Sequence, residues 1–192
     1  MVNNFDLIIP LLKFDSEDDF YYLQILQRKK ENDQIGSNSH VVKNYYIKST
    51  DYLVSHKEEI IKLCEAFNAR AMLRLNKRSF EKVAYKALVN YANVISNREF
   101  EFCKKAYDRA IGQGHNERVA KWIIDIDNTL VIPILLIEYI NKCDPQGDKI
   151  VTTIPSKNGL HLIVNPFNRS MFDIAFPDIA VQIDNPTNLF IP

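Results

Sequence analysis

Ile123-Ile124-Asp125-Ile126-Asp127 and, further along, Ile154-Pro155-Ser156-Lys157-Asn158-Gly159-Leu160-His161 are the stretches that decide how this 192-residue chain folds. The first is an apolar run that ends in two carboxylates one residue apart. Val119 to Asp127 is rich in β-branched and aromatic residues, which favours a strand over a helix. Strand side chains alternate, so Asp125 and Asp127 share one face while Trp122, Ile124 and Ile126 take the other. Two like charges roughly 6.5–7 Å apart at Cα repel unless a cation lies between them. Carboxylate oxygens of this kind suit magnesium or manganese, ions that keep several waters and bind substrate phosphates. The plainer reading is that Asp127-Asn128 ends the strand as a turn and Asp125 is solvated.

In the second stretch, Lys149–Pro155 and Leu160–Val164 are apolar-rich runs on either side of Ser156-Lys157-Asn158-Gly159. Asn-Gly between two such runs signals a hairpin, because both residues tolerate positive φ. On the returning strand His161 shares a face with Ile163, and Leu160, Leu162 and Val164 face the other way. Taken alone, a histidine among apolar alternators reads as a satisfied, half-buried residue. The order of the elements gives it a second meaning.

The last third reads as strand 119–127, helix 130–143, strand 149–155, strand 159–165, helix 168–175 and extended segments to 191. That is the β-α-β-β-α-β order of a ferredoxin-like or RRM-like unit. In that topology the first and third strands are antiparallel neighbours, so the end carrying Asp125 and Asp127 meets the end carrying His161. A final strand Thr187–Ile191, antiparallel to the first, brings Asp184 to the same pole. The expectation is an α+β fold in which three acids and a histidine gather on the open face of a small sheet, the other face packing on two helices.

A strand-borne Asp-x-Asp, a Ser-x-x-x-x-His segment at a hairpin and a later strand-associated Asp resemble the pattern of the archaeo-eukaryotic primase superfamily. The resemblance covers the chain from Val119 onward well and the earlier part in outline. The usual spacing in the second motif is shorter, Ser-x-His, and Asn185-Pro186-Thr187 after Asp184 is only loosely like the third. The resemblance implies an RRM-like catalytic palm over 119–192. It also implies a preceding smaller α/β, largely helical unit over 1–118 that lines a nucleic-acid groove. The implied activity is metal-dependent nucleotidyl transfer by a minimal primase/polymerase-like core in nucleic-acid replication. Asp125, Asp127 and Asp184 would hold Mg2+ or Mn2+, which clamp the attacking hydroxyl and the triphosphate. Ser156, Lys157 and His161 would contact nucleotide phosphates. The implied partners are a nucleoside triphosphate, a single-stranded template and a replication helicase or accessory protein.

Two other readings stay open. Asp125-Ile126-Asp127-Asn128-Thr129-Leu130-Val131 also fits the Asp-x-Asp-x-Thr signature of haloacid-dehalogenase-like phosphatases, whose first Asp is a nucleophile. That fold needs a parallel, doubly wound sheet, whereas a hairpin and no Asp-Asp pair follow Asp127 here. The second alternative keeps the palm as a nucleic-acid-binding module without turnover. Against it, the expected open face carries Asp125, Asp127 and His161 in place of stacking rings.

Composition sets the outer bounds. With 46% hydrophobic residues the chain can bury one good core or two small ones. A formal net charge of zero argues against nucleic-acid binding through bulk charge alone. The charge is uneven, however, with Arg70, Arg74, Lys77, Arg78, Lys82 and Lys86 opposed within 70–86 by Glu81 alone. The Arg70/Arg74/Lys77/Arg78 cluster reads either as a template or phosphate contact or as a solvated basic surface. Cys64, Cys103 and Cys143 lack metal-ligand spacing, so reduced thiols of a cytoplasmic protein are expected. No secretory leader and no membrane span are expected.

In the N-terminal part the pattern predicts a helix over Ser16–Asn32, a strand over Val41–Ile47 and a helix from Thr50 to Phe67. A strand over Ala69–Leu75 follows, then helices over Ser79–Ser96 and Arg98–Ile111. Gly112-Gln113-Gly114-His115-Asn116 reads as a flexible connection into the palm.

Overall fold

A computed structural model describes residues 1–36, 38–113, 121–127 and 133–192, with α+β architecture and antiparallel sheets. The N-terminal part begins with β1 (Val2–Asn3), α1 (Phe5–Ile8), β2 (Asp19–Gln27) and β3 (His40–Ile47). It continues with α2 (Thr50–Ser55), α3 (Lys57–Ala66), β4 (Arg70–Arg74), β5 (Arg78–Ser79), α4 (Phe80–Ser96) and α5 (Cys103–Gln113). The C-terminal part holds β6 (Trp122–Asp127), α6 (Pro133–Lys142), β7 (Ile150–Pro155) and β8 (Gly159–Val164). The chain closes with α7 (Arg169–Ala175), β9 (Val181–Gln182) and β10 (Pro186–Ile191).

The larger sheet has the order β1-β10-β4-β2-β3, with β5 also paired to β2. The smaller has the order β7-β8-β6-β9, and every strand pair in both sheets is antiparallel. One face of the smaller sheet, with Ile124, Ile126, Leu162 and Val164, packs on Leu136 and Ile140 of α6 and Phe172 of α7. Its other face contributes Ile123, Ile154 and Ile163 to a core shared with Leu23, Leu73 and Leu189 of the larger sheet. A third cluster joins Phe20 and Tyr22 of β2 to Val83 and Ala87 of α4 and Ala110 and Ile111 of α5. Helix starts follow local chemistry: the Ser49 hydroxyl accepts the Tyr52 amide at the head of α2, and the Ser79 hydroxyl accepts the Lys82 amide at the head of α4.

Three expectations are corrected. Ser16–Asn32 is not a helix: Asp19–Gln27 is the strand β2, held between β3 and β4. Phe20, Tyr21, Tyr22 and Leu23 are all buried, so both faces of the strand are apolar and the alternation that marks a half-buried strand is missing. The N-terminal part also provides β1 to β5 of the six-stranded sheet. The last strand does not join the smaller sheet. Val181–Gln182 pairs with β6 there, and β10 inserts between β1 and β4. Finally, Gly112 and Gln113 still belong to α5; residues 114–116 of the expected connection, like the expected boundary at 118/119, lie outside the described residues. Among the described residues no helix is long and apolar enough to cross a membrane.

Candidate functional site

Strand pairing sets the geometry of the site. Along β6 and β8, Asp125 stands opposite His161 and Asp127 opposite Gly159; β7 adds Ile154 on the other side of His161. The hairpin between β7 and β8 is closed by the Ser156 amide donating to the Gly159 carbonyl at 2.9 Å. Gly159 is there for closeness. A Cβ on it would lie 2.0 Å from the Ile126 carbonyl oxygen and 3.0 Å from the Asp127 Cα. Only glycine lets β8 start this near β6, and it leaves no side chain beside Asp127.

His161 is 7% exposed and engaged on both sides. Its Nδ1 lies 2.9 Å from the Thr187 hydroxyl of β10, and its Nε2 lies 3.4 Å from Asp125 Oδ1. The His161 imidazole holds Asp125 below the usual carboxylate range, against the effect of burial and with the charge of Arg28 adding to it. At 3.4 Å that contact is longer than a good hydrogen bond, and Asp125 Oδ1 is buried without a partner of its own. Two more buried oxygens share this condition, Ser156 Oγ and Asn188 Oδ1.

The three residues that carry them line one cavity of about 550 Å³, bordered by strands of both sheets. Of the residues singled out in the sequence, Asp125, Asp127, Ser156, Lys157, His161 and Arg70 line it. Its rim is crossed by an ion-paired bridge. Glu31 takes a bidentate contact from Arg70, whose Nε donates at 2.8 Å, and accepts from Lys157 at the hairpin tip at 3.0 Å. Burial pushes the Glu31 carboxyl up, but hydrogen bonds from Arg70 and Lys157 outweigh it and hold the group below its ordinary value.

The remaining expected site residues go elsewhere. Asp184 does not line the cavity. Its carboxylate receives Arg78 at 2.5 and 3.2 Å, Arg74 at 3.3 Å and the Asn76 amide at 3.1 Å. The expected gathering of three acids is therefore corrected to two, because the third is neutralised by arginines of the larger sheet. The sheet face is also not open: it is covered by the larger sheet, and Asp125 and Asp127 reach the cavity at its rim. The expected basic surface is largely internal. Arg78 is completely buried, and Lys77 binds Asp15 and Asp19 at 2.6 and 2.7 Å. Arg74 serves Asp184, and Arg70 alone of the four faces the cavity.

Sequence reasoning missed Arg28, Glu31, Thr187 and Asn188. Glu31 carried no signal, being one charge in a polar stretch. Thr187 and Asn188 carried a faint one, as polar residues heading the buried run Leu189-Phe190-Ile191. Among the described residues no group of three or more His, Cys, Asp or Glu side chains is placed to hold a metal ion by itself. Comparison with protein-family models, curated proteins and solved structures found no match to the chain.

Proposed function

We propose that this chain is a metal-dependent nucleotidyltransferase of the primase/polymerase type, acting on a nucleoside triphosphate with a single-stranded nucleic acid as template. The observation that carries the reading is the Asp125–His161 cross-strand pair, which opens with Asp127, Ser156 and Lys157 onto a cavity bordered by Arg28 and Arg70. The succession β6-α6-β7-β8-α7-β9 in a sheet of order β7-β8-β6-β9 supports an RRM-like palm around it.

The donor set fits magnesium or manganese. Asp125 and Asp127 are hard oxygen donors, and Asp125 Oδ1 is buried without a partner. Two carboxylates suffice for an ion whose remaining positions go to waters and substrate phosphates. When bound, such an ion neutralises phosphate charge and favours the attacking hydroxyl in its ionised form. The chain's own residues do the rest. His161, fixed by Thr187, holds Asp125 in place and ionised. Arg28 supplies positive charge for the phosphates, Lys157 and Arg70 add the net charge of two cations sharing the single Glu31 carboxylate, and the Ser156 hydroxyl, buried without a partner, is a candidate donor to a phosphate oxygen. In the reaction a bond forms between the attacking hydroxyl oxygen and the α-phosphorus, the α–β anhydride breaks, and pyrophosphate leaves. Positioning and charge neutralisation carry most of such a step. A haloacid-dehalogenase-like reading draws less support, because β6 has antiparallel neighbours on both sides.

Manganese-dependent incorporation of labelled nucleotide on a single-stranded template tests the proposal. The wild-type chain incorporates label, and Asp125→Ala/Asp127→Ala abolishes incorporation. Incorporation that survives the double change refutes the assigned site. Nucleotide binding without any incorporation replaces the enzyme with a binding module.

A further inference from the structure

Lys157, at the tip of the hairpin between β7 and β8, is held by a residue from the other sheet. Its Nζ donates to Glu31 Oε1 at 3.0 Å. Glu31 belongs to the connection between β2 and β3, so the contact ties the smaller sheet to the larger beside the cavity that both residues line. Arg28 and Lys30 line the same cavity. A carboxylate gripped by a guanidinium and an ammonium stands where proteins also receive phosphates. Here the chain fills that arrangement with a carboxylate of its own.

The two limbs of the grip are unequal. The Arg70 side chain is 7% exposed and gives Glu31 two hydrogen bonds, so breaking that limb would strand a buried charge. Lys157 gives one hydrogen bond, and its side chain is 52% exposed, so water screens the pair. Its long stem and rotatable ammonium let it turn to another acceptor. Glu31 is the fixed side. Its carbonyl accepts from the Asn68 side-chain amide at 3.0 Å. The next residue, Asn32, donates to the Asn68 carbonyl at 3.0 Å and to the Arg28 carbonyl at 3.1 Å. On the hairpin side, the Ser156 hydroxyl next to Lys157 is buried without a partner, an unfavourable state that the held conformation retains.

We infer that Glu31 is an autoinhibitory latch: it holds Lys157 in the free protein, and a ligand phosphate takes Lys157 from it while Arg70 keeps Glu31 in place. The inference rests on the phosphate-binding reading of the cavity. Glu31 then opposes binding in two ways. Lys157 must leave its carboxylate, and the phosphate must come near a negative charge. The first alone is a latch, and it disappears when Lys157 is removed.

Calorimetric titration of inorganic triphosphate, in magnesium, into the wild type, Glu31→Gln, Lys157→Met and the double variant separates the two. Glu31→Gln is expected to bind the probe about fivefold more tightly than the wild type, and Lys157→Met more weakly. In the Lys157→Met background the gain from Glu31→Gln is expected to fall to about twofold, the difference being the fold-change of one half-exposed ion pair. An equal gain in both backgrounds overturns the latch and leaves Glu31 as a repelling charge only. Hydrogen exchange in the free proteins gives a reading without ligand. The Ser156 amide, which closes the hairpin on the Gly159 carbonyl at 2.9 Å, should exchange faster in Glu31→Gln and in Lys157→Met. Lys157→Met keeps the Arg70–Glu31 pair, so exchange equal to the wild type in that variant overturns the latch whatever Glu31→Gln does to folding. Absence of triphosphate binding by all four proteins instead sinks the phosphate-binding reading and the inference with it.

Discussion

Replacing Asp184 by Ala separates a structural acid from a metal ligand. The Arg78 guanidinium is completely buried. Its Nε donates to the Ile111 carbonyl at 3.0 Å and one terminal nitrogen to the Asn76 carbonyl at 2.5 Å, and Asp184 supplies the facing negative charge at 2.5 and 3.2 Å. Without Asp184 those two carbonyl contacts persist, but a fully desolvated cation loses its counter-charge, and Arg74 beside it loses its partner as well. Breaking a buried pair from one side destabilises by about 3–5 kcal/mol. For a chain of this size that lowers the melting temperature by about 6–20 °C. Urea titration monitored by fluorescence and by circular dichroism together measures the change and checks two-state behaviour. Arg78→Met/Asp184→Leu removes both charges of the buried pair and should recover part of the loss, the remainder reflecting Arg74, which still lacks its carboxylate. A loss under about 1 kcal/mol in Asp184→Ala, far below the range for a broken buried pair, means that Asp184 does not neutralise Arg78 and returns it to the candidate metal ligands.

Gly159→Ala forces a methyl against the Ile126 carbonyl and is expected to destabilise by about 1–3 kcal/mol or more, read as a lower denaturation midpoint; a midpoint equal to that of the wild type contradicts the close approach of β8 to β6. Glu31→Gln removes a carboxylate whose folded-state pKa lies below its ordinary value of 4.5. The stabilisation from such a group is complete above that value and is lost as pH falls through the lower folded-state pKa. The variant should therefore be about 1.5–3 kcal/mol less stable near neutral pH, with the gap closing in acid; a gap independent of pH shows that the bridge to Arg70 and Lys157 does not depend on charge.

The half of the site carried by local pattern was legible in the sequence. Alternation put Asp125 and Asp127 on one strand face, Asn158-Gly159 marked the hairpin, and the order of elements placed Asp125 beside His161, as the register has it. What failed was set by partners far along the chain. Phe20, Leu23, Ile25 and Leu26 read as much of the apolar stripe of a helix over Ser16–Asn32, and only the covering of both faces by other elements makes Asp19–Gln27 a central strand. β10 was assigned to the wrong sheet because nothing local distinguishes Thr187–Ile191 as a partner of β4 from a partner of β6. The basic cluster looked like surface because its counter-ions are remote in sequence: Glu31 for Arg70, Asp15 and Asp19 for Lys77, and Asp184 for Arg74 and Arg78. Ion pairs of this kind leave no spacing to read.

The proposed nucleotidyl transfer requires metal and nucleotide to bind in the cavity bordered by Asp125 and Asp127, and not beside Asp184. A crystal soaked with manganese and a non-hydrolysable nucleoside triphosphate tests it most directly through the anomalous signal. The expected result is manganese at the Asp125 and Asp127 carboxylates, with phosphates reaching toward Lys157 and Arg70 and the Asp184–Arg78 pair intact. Manganese bound at Asp184 with that pair broken, or nucleotide seated outside the cavity, contradicts it.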